Sequence, residues 1–412
     1  MDKMSKITSI KQLVDLYTSI YYLEDTSIIP LVCAVALSNK LPGDPIWLMI
    51  VGGSSSGKSE IVNAITALPF VHEISMLTPN TLLSGMKAKG GKETSLLLRI
   101  PRSSVIVMKD FTTILSMNKE DQQAIMGQFR EMYDGKMSKD TGTGDTLKWE
   151  GKITLLAGVT EKIHAVSAKF DGMGTRAINY TMVPQDRMKT ARRSVVIAKG
   201  IKQHREDIRQ AFKEYIEYIL PIIVDKEYTV DEVTSQKILN VSDFAALARS
   251  PVERDFQGKM ALVLSPEMPM RMSNQLHLFA SVFMAMEDGK LLPEYERIIY
   301  KVAIDCIPKG RRMVAERLAQ FDKVTTKALA MDLNYETDRI GMWLGELNVL
   351  GICKRDSGRG PRGDIWEMNE PFRTIMLEYG QLNREVGILE TAEEESNAEI
   401  SRRVDEEWDS EF

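Results

Sequence analysis

Short apolar runs alternate with helical patterns between residues 46 and 184. The apolar runs cover residues 46–51, 105–108, 153–156 and 178–183, and the clearest helical patterns between them cover residues 59–67 and 119–133. Short strands that alternate with helices are typical of a parallel β-sheet with crossover connections. We therefore predict an α/β core over residues 45–185, preceded by a helical segment over residues 1–44.

The chain after residue 185 has a different pattern. Helical periodicity dominates residues 186–307, which predicts an α-helical lid after the α/β core. Residues 308–375 then show three helical stretches followed by a basic β-hairpin, the element order of a winged helix-turn-helix. Residues 376–412 are acidic and poor in apolar side chains, so we predict a flexible tail there.

Composition narrows the class of protein. With 412 residues, of which 43% are apolar and 27% charged, the chain is globular in composition and long enough for two or three domains. The longest apolar stretch, residues 27–37, is shorter than the roughly 18 residues that a membrane span needs, and the first ten residues lack the apolar region of a signal peptide. Three cysteines and four histidines are scattered, which argues against a disulfide framework or a zinc cluster. We expect a cytoplasmic protein without membrane contact.

The net charge of −5 is unevenly distributed. Residues 380–412 carry three basic and eleven acidic side chains, a charge of −8, which leaves +3 for residues 1–379. The negative net charge of the whole chain therefore does not apply to residues 1–379. It does not exclude a nucleic-acid partner.

A phosphate-binding motif follows the first apolar run. It matches the pattern G-x-x-x-x-G-K-[ST] and consists of Gly52, Gly53, Ser54, Ser55, Ser56, Gly57, Lys58 and Ser59. Glycines let backbone N–H groups surround phosphates, the lysine reaches the β- and γ-phosphates, and the Ser59 hydroxyl is a magnesium ligand. The motif lies between an apolar run and a helical pattern, so we predict binding of ATP with Mg²⁺.

An acid ends the apolar run at residues 105–108. A P-loop enzyme needs such an acid to hold the metal, and Asp110 supplies it as a second candidate ligand. The usual acidic pair is missing because Asp110 lies between Lys109 and Phe111. A surface acid that only caps Phe111 and Thr112 is the alternative. Asp110 could hold the metal or polarise water, so the catalytic base stays open, with Glu131 and Asp134 as substitutes whose positions the sequence does not give.

Residues 134–152 form two polar arms around the turn Thr-Gly-Thr-Gly-Asp, which predicts a β-hairpin. The hairpin is expected to carry Lys136, Lys139, Lys148 and Lys152. Basic residues on a projecting hairpin suit contact with a phosphate backbone, and solvated lysines are the equally weighted alternative.

The order of these parts resembles the AAA+ ATPase core of the minichromosome-maintenance (MCM) helicases and of the hairpin-bearing superfamily 3 helicases. It is most similar to MCM-like ATPases of bacterial phages and mobile elements, through the stretches WLMIVGGSSSGKS, VMKDFTTILSM, EMYDGK and WEGKITLLAGVT. The resemblance covers roughly residues 45–375.

The resemblance implies roles for three further residues. Thr160 takes the sensor 1 place near the γ-phosphate, Arg176 the place of an arginine finger that reaches a neighbouring subunit, and Arg271 the place of the sensor 2 arginine. For Arg176 a structural ion pair is the alternative. MCM proteins usually have an asparagine at sensor 1 and an acidic pair at the metal strand, so hydrolysis here is expected to be slow or differently arranged.

The predicted winged helix supplies a second set of DNA contacts. Its recognition helix covers residues 336–347, with Arg339 on the first turn, and its wing carries Lys354, Arg355, Arg359 and Arg362. Docking of a protein is the alternative use of this module. The acidic tail, which ends in Phe412, resembles the protein-docking tip of bacterial single-stranded-DNA-binding proteins; a generic solubilising tail is the alternative.

Three hypotheses about function follow. The first is a hexameric, ring-forming, ATP-driven DNA translocase or helicase of a phage or mobile element, which works in the cytoplasm of a bacterial host and hydrolyses ATP between subunits. The second is a nucleotide-switched DNA-binding initiator or transposition regulator that does not unwind DNA. The third is a signalling or defence NTPase whose winged helix binds protein.

Overall fold

A computed structural model describes residues 6–84, 93–141, 146–163, 176–254, 260–263, 266–357, 364–380, 384–389 and 391. The chain divides into two compact units. Unit 1 comprises Met1–Ile238 and Met270–Ala303, and unit 2 comprises Leu239–Pro269 and Ile304–Phe412. These limits differ from the domain limits expected from the sequence, which stay predictions.

A parallel sheet forms the centre of unit 1. The strands of this unit are β1 (Trp47–Val51), β2 (Val71–Ile74), β3 (Ser103–Met108), β4 (Lys136–Asp140), β5 (Thr146–Glu150), β6 (Lys152–Val159) and β7 (Ala177–Thr181). Five of them pair in the order β2-β3-β6-β1-β7, and every pairing is parallel. The predicted parallel α/β core is thus confirmed, and β1, at the inside of the sheet, is buried at all five positions, as expected for a strand covered on both faces.

Unit 1 also contains helices, two of which extend into unit 2. They are α1 (Ile10–Ile20), α2 (Ile28–Ser38), α3 (Lys58–Asn63), α4 (Leu96–Arg99), α5 (Thr112–Leu115), α6 (Lys119–Tyr133), α7 (Arg187–Ile197), α8 (Ile201–Asp225), α9 (Glu232–Arg249), α10 (Met270–Met286) and α11 (Pro293–Asp305). Helix α2 is buried along its whole length, because its side chains are apolar on every face. A capping box at Ser9 and Gln12 begins α1. Helices α9 and α11 contain points at which the chain passes from one unit to the other.

Strands β4 and β5 form an antiparallel pair outside the central sheet. Lys136 lies opposite Glu150, and Met137 lies opposite Trp149. Met137 and Trp149 are buried against the core, whereas Lys136 and Glu150 on the other face are exposed. Successive side chains of these two strands alternate between the faces of the pair, and this alternation decides which lysines face solvent.

Unit 2 is built of helices and a four-stranded sheet. After the pair β8 (Val252–Arg254) and β9 (Met260–Val263) it contains α12 (Lys309–Gln320), β10 (Phe321–Thr325), α13 (Thr326–Leu333), α14 (Thr337–Val349), β11 (Cys353–Ser357), β12 (Asp364–Met368), α15 (Glu370–Gly380) and β13 (Glu385–Leu389). The sheet order is β11-β12-β10-β13, in which β12 is antiparallel to both neighbours and β13 is parallel to β10.

Four strands of unit 2 depart from the sequence prediction. Strand β10 lies where the prediction has the end of one helix and the start of the next, and the pair β8–β9 lies in a region predicted to be helical. Strand β13 lies inside residues 376–412, so the predicted flexible tail begins too early: Glu385–Leu389 pair with β10. Strands of three to five residues have too little periodicity to be recognised alone, because they are stabilised by partners distant in the chain.

Candidate nucleotide site

The phosphate-binding loop connects β1 to α3. Gly57 has φ +88° and Ser55 has φ +61°, both in the left-handed region, which turns the backbone into the start of α3. The amide of Gly52 donates to the carbonyl of Val159, so the loop begins against the end of β6. The first residue of the loop is thereby attached to the middle of the carboxyl edge of the sheet.

Lys58 points its ammonium into this loop. Its Nζ donates to the carbonyl oxygens of Gly52 at 2.8 Å and Gly53 at 2.5 Å and to Ser56 Oγ at 3.4 Å, and the residue is only 9% exposed. Burial lowers the pKa of Lys58, and the negative charge of Asp110 offsets part of that effect. A buried cation that faces backbone carbonyls is placed to neutralise a phosphate.

Asp110 and Thr160 lie together beside the loop. The amide of Phe111 donates to the Gly158 carbonyl at 2.7 Å, which links the chain after β3 to the end of β6. Thr112 completes the link: its amide donates to Asp110 Oδ1 at 2.9 Å, and its hydroxyl accepts from the Thr160 amide at 3.1 Å and lies 3.3 Å from the Thr160 hydroxyl. The sequence suggested Thr112 only as a residue that Asp110 could cap, and its contacts with Thr160 were not predicted.

Gly158 makes this close approach possible. A Cβ atom at this position would lie 2.6 Å from the Lys109 carbonyl oxygen and 3.6 Å from Lys58 Cβ. A side chain there would therefore separate the end of β6 from both the acid and the lysine of the site.

The residue before Asp110 has its own partner. Lys109 Nζ lies 2.5 Å from Glu73 Oε1 on β2, and both side chains are partly exposed. One of the two positions that could complete an acidic pair with Asp110 thus carries a cation held by the neighbouring strand.

These residues fit ATP and Mg²⁺. Cβ atoms at Gly53 and Gly57 would meet no other atom within 4 Å, so there is open space beside the loop at both positions. Ser59 and Asp110 are exposed and offer the oxygen atoms that Mg²⁺ prefers. No group of three or more His, Cys, Asp or Glu side chains suited to a metal occurs among the described residues. Few protein ligands are typical of Mg²⁺ that is held together with nucleotide phosphates.

Arg176 and Arg271 lie at the opposite edge of the sheet. Arg176 directly precedes β7, whose first residue pairs with Trp47, the first residue of β1. Its guanidinium binds Asp134 at 2.9 Å and lies 5.7 Å from the centre of the Tyr133 ring; the guanidinium of Arg271 lies 5.8 Å from the same ring. The strands span about 16 Å, so neither arginine lies beside the P-loop of its own chain.

The cluster around Tyr133 is tightly connected. Gln275 donates to the Tyr133 hydroxyl at 3.0 Å and to the Arg176 carbonyl at 2.9 Å. Burial raises the pKa of Tyr133, Asp44 adds to the rise, and the two arginines oppose it. Neither Tyr133 nor Gln275 was predicted, because only the fold brings these segments together.

The two substitute acids also lie at this edge. Asp134 is held by Arg176, and Glu131 lies on the last turn of α6, near Arg102 at the start of β3. Neither substitute acid therefore lies beside the P-loop of its own chain, and the catalytic base stays open.

The lysines of the predicted hairpin have unlike environments. Lys136 and Lys148 lie on the exposed face, where Lys136 is 3.4 Å from Glu150. Lys139 lies on the other face and donates to Asn80 Oδ1 at 2.9 Å and to the Leu83 carbonyl at 3.0 Å. The three residues predicted to contact DNA do not share one face.

Lys152 is a strand residue of β6 and not part of the hairpin. Its ammonium donates to the carbonyl oxygens of Ser38 at 3.0 Å and Leu41 at 2.6 Å. Burial lowers its pKa to about 8. The predicted place of Lys152 on the hairpin is therefore wrong, and its ammonium holds the end of α2.

The predicted DNA contacts of unit 2 are only partly described. Arg339 is exposed on the first turn of α14, with its guanidinium 6.0 Å from the Trp343 ring. Lys354 is exposed on β11, and Arg355 binds Asp364 at 2.7 Å across the strand pair. Arg359 and Arg362 lie outside the described residues, as does the tip of the β4–β5 pair at residues 142–145.

The chain thus has a mixed α/β fold with a parallel central sheet and a phosphate-binding loop, a P-loop ATPase-like arrangement. Within the described residues there is no helix of the length and apolar content that a bilayer crossing requires. The sequence matches no protein-family model and no curated protein. Among solved structures it is similar to the crystal structure described as "a putative ATPase from Cytophaga hutchinsonii ATCC 33406", with 13% identity and a TM-score of 0.41 over 72% of this chain and 85% of that one.

Proposed function

We propose that this chain is a ring-forming ATPase that hydrolyses ATP between subunits and moves along DNA. The observation that carries the proposal is the separation of the two charged sites: Lys58 and Asp110 lie at one edge of the sheet, and Arg176 and Arg271 lie at the other. A phosphoryl-transfer site needs both sets of charges at one nucleotide.

Head-to-tail assembly joins the two edges. When the amino edge of one copy faces the carboxyl edge of the next, Arg176 and Arg271 can approach the phosphates held by the neighbour's P-loop. Such a contact is heterologous, and heterologous contacts close into rings when the rotation permits. This supports the implied hexamer and the trans role of Arg176.

The residues then divide the chemistry of hydrolysis. Water attacks the γ-phosphorus, the new O–P bond forms as the bond to the ADP oxygen breaks, and the water proton passes to solvent or to a base. Lys58 neutralises phosphate charge, Thr160 positions the water with the help of Thr112, and Arg176 stabilises charge in the transition state. When bound, Mg²⁺ neutralises charge on the β- and γ-phosphate oxygens, and Ser59 and Asp110 would hold it.

Contact with DNA is supported by exposed basic residues in both units. Lys136 and Lys148 lie on the exposed face of the β4–β5 pair, and Arg339 and Lys354 lie on exposed positions of unit 2. The helix order of unit 2 and its antiparallel strands β11 and β12 suit a winged helix. A helicase of a phage or mobile element is the form of this function that the MCM-like resemblance favours.

The first test is ATP hydrolysis with and without single-stranded DNA. We expect DNA to stimulate the wild type and Lys58→Ala and Arg176→Ala each to abolish turnover. A mixture of the two variants should regain activity, because a subunit with intact Arg176 can face one with intact Lys58. Lys119→Ala, at an exposed position on α6, is the control. No recovery on mixing would contradict the shared site.

A nucleotide-switched DNA-binding ATPase is the second candidate. The two neighbours of Asp110 favour it: Lys109 is paired with Glu73 and Phe111 is fully buried, so neither position supplies the second acid that would polarise water. Binding of ATP without turnover, together with nucleotide-dependent open filaments in electron micrographs, would establish the switch and exclude the motor.

A further inference from the structure

Tyr133, the last residue of α6, lies beside both arginines of the amino edge. The guanidinium carbon of Arg176 is 5.7 Å from the centre of its ring, and that of Arg271 is 5.8 Å from the same point. Both distances are within the range over which an aromatic ring attracts a guanidinium. Two cations from different segments of the chain therefore share one aromatic side chain.

Neighbouring side chains fix the position of this ring. Tyr133 is 4% exposed, and the ring of Trp47 meets it edge-on, with the ring centres 5.2 Å apart. Its hydroxyl accepts from Gln275 Nε2 at 3.0 Å. Burial raises the pKa of Tyr133, so the side chain is a neutral phenol and not a phenolate at neutral pH. The two guanidinium groups thus face a fixed, uncharged ring.

Gln275 connects the same ring to both arginine segments. It donates to the Arg176 carbonyl at 2.9 Å, and it lies four residues after Arg271 on α10, on the same side of that helix. The end of α6 makes a second contact with Arg176, because Asp134 binds the guanidinium at 2.9 Å. The ring and the buried amide therefore tie the two arginines into one unit.

We propose that Tyr133 is a positioning residue for ATP hydrolysis, whose ring presents Arg176 and Arg271 together to the nucleotide of the neighbouring subunit. This inference rests on the proposed function, since that function brings both arginines to one triphosphate. Two cations held close together repel each other, and the partial negative charge on the face of a shared ring reduces that cost. Unlike a carboxylate, the ring does so without neutralising the charges that the phosphates need.

The first experiment separates the ring from its hydroxyl. Tyr133→Phe keeps the ring and should retain ATP turnover within about threefold of wild type, whereas Tyr133→Leu should lower turnover about tenfold or more. Binding of a non-hydrolysable ATP analogue should be unchanged in both variants, because the P-loop lies at the opposite edge of the sheet. Normal turnover in Tyr133→Leu, or equal losses in the two variants, would overturn the proposal.

The second experiment asks which subunit needs the ring. In a mixture of Lys58→Ala and Arg176→Ala subunits, ATP is hydrolysed only where the first kind supplies the arginines and the second kind supplies the P-loop. Tyr133→Leu added to the Lys58→Ala subunit should lower the activity of the mixture about tenfold, and the same change in the Arg176→Ala subunit should leave it within about twofold. Equal losses in both placements would make Tyr133 a general packing residue and overturn the proposal.

Phe129 provides the matched control for packing. It lies one turn earlier on α6, is 1% exposed, and also meets Trp47 edge-on, with the ring centres 5.6 Å apart. Phe129→Leu in the Lys58→Ala subunit should lower the activity of the mixture by less than about threefold, because the ring beside the arginines remains. A loss as large as that from Tyr133→Leu would show that packing on Trp47 controls turnover, and would overturn the proposal.

The same mixtures separate this inference from the proposed function. No recovered activity in the parent mixture of Lys58→Ala and Arg176→Ala subunits would reject the shared site and this inference with it. Recovery that survives Tyr133→Leu in either kind of subunit would reject only the role of the ring.

Discussion

The two edges of the central sheet carry the same kinds of charge but are built differently. At the carboxyl edge most of the candidate phosphate-binding groups belong to one continuous loop, from Gly52 to Ser59, and many of them are backbone groups. At the amino edge Tyr133, Arg176 and Gln275 come from three segments separated by 43 to 99 residues and meet through side chains. A backbone site is local in sequence, whereas a side-chain cluster exists only in the folded unit.

The difference has a functional consequence. In the proposed function the carboxyl edge holds a nucleotide without help from the other edge, and among the described residues the amino edge has no phosphate-binding loop of its own. Binding and turnover should therefore be separable, with binding a property of one chain and turnover a property of two.

The largest effect of separating the two edges is expected at Arg176. We expect Arg176→Ala to lower ATP turnover of the assembled protein by about 10³-fold or more, because an arginine that stabilises transferred phosphoryl charge is worth that much. Asp134→Ala, which removes only its ion-pair partner, should cost roughly tenfold. Steady-state phosphate release gives the rates, and urea unfolding gives the stability of each variant. Equal losses of turnover that follow equal losses of stability would make the pair purely structural.

A second test concerns packing at the carboxyl edge. Gly158→Ala should lower the free energy of unfolding by about 1–3 kcal/mol, because its Cβ would lie 2.6 Å from the Lys109 carbonyl oxygen. Gly127→Ala on α6 is the control, since its Cβ meets nothing within 4 Å, and alanine there should raise stability by about 0.5–1 kcal/mol. Urea denaturation measures both, and a Gly158→Ala protein as stable as wild type would show that the strand ends are not closely packed.

The β4–β5 pair offers a comparison of two faces. Lys148→Ala should reduce the slope of log affinity for single-stranded DNA against log salt by about 1, as expected for one lost phosphate contact. Lys139→Ala should leave that slope unchanged, because Lys139 is bound to Asn80 and Leu83. Fluorescence anisotropy over a salt series measures the slopes. Identical slopes in the two variants would show that the exposed face has no special role in DNA binding.

The smallest effect is expected from the pH dependence at Lys152. Its pKa falls from 10.5 to about 8 on folding, so between pH 8 and 10.5 the unfolded chain binds a proton that the folded chain has released. The free energy of unfolding therefore rises with pH in this window, by about 1–2 kcal/mol from this group. The difference in unfolding free energy between wild type and Lys152→Met should shift in favour of wild type from pH 8 to pH 10. A difference that stays constant would contradict the lowered pKa.

The α/β core was predictable because its elements have strong local patterns. Four apolar strands, α2 with its wholly apolar surface and the P-loop can all be recognised within windows of eight to fifteen residues. The fifth strand, β2, was not predicted, because His72 and Glu73 interrupt its apolar pattern. The side chains that bridge elements could not be predicted in this way. Thr112 ties Asp110 to Thr160 only because β3 and β6 are adjacent, and strand order is a property of the sheet.

Lys139 and Lys152 show most clearly what local sequence cannot predict. Both belong to one basic stretch, and nothing in their local sequence distinguishes them from Lys148. Strand alternation turns Lys139 inward, and the end of α2 captures the ammonium of Lys152. A lysine's role depends on which carbonyls and carboxylates come within reach, and those come from residues about 55 to 115 positions away.

The sequence alone determined the parallel α/β class, the phosphate-binding loop with Lys58 and Ser59, and Asp110 as the acid at a strand end. These features depend on periodicity and on backbone conformations that particular residues favour locally. Only the tertiary structure decided that Arg176 and Arg271 lie opposite the nucleotide edge and that β13 pairs with β10. The physical reason is that packing and charge pairing join residues distant in the chain, and a linear pattern contains no distances between them.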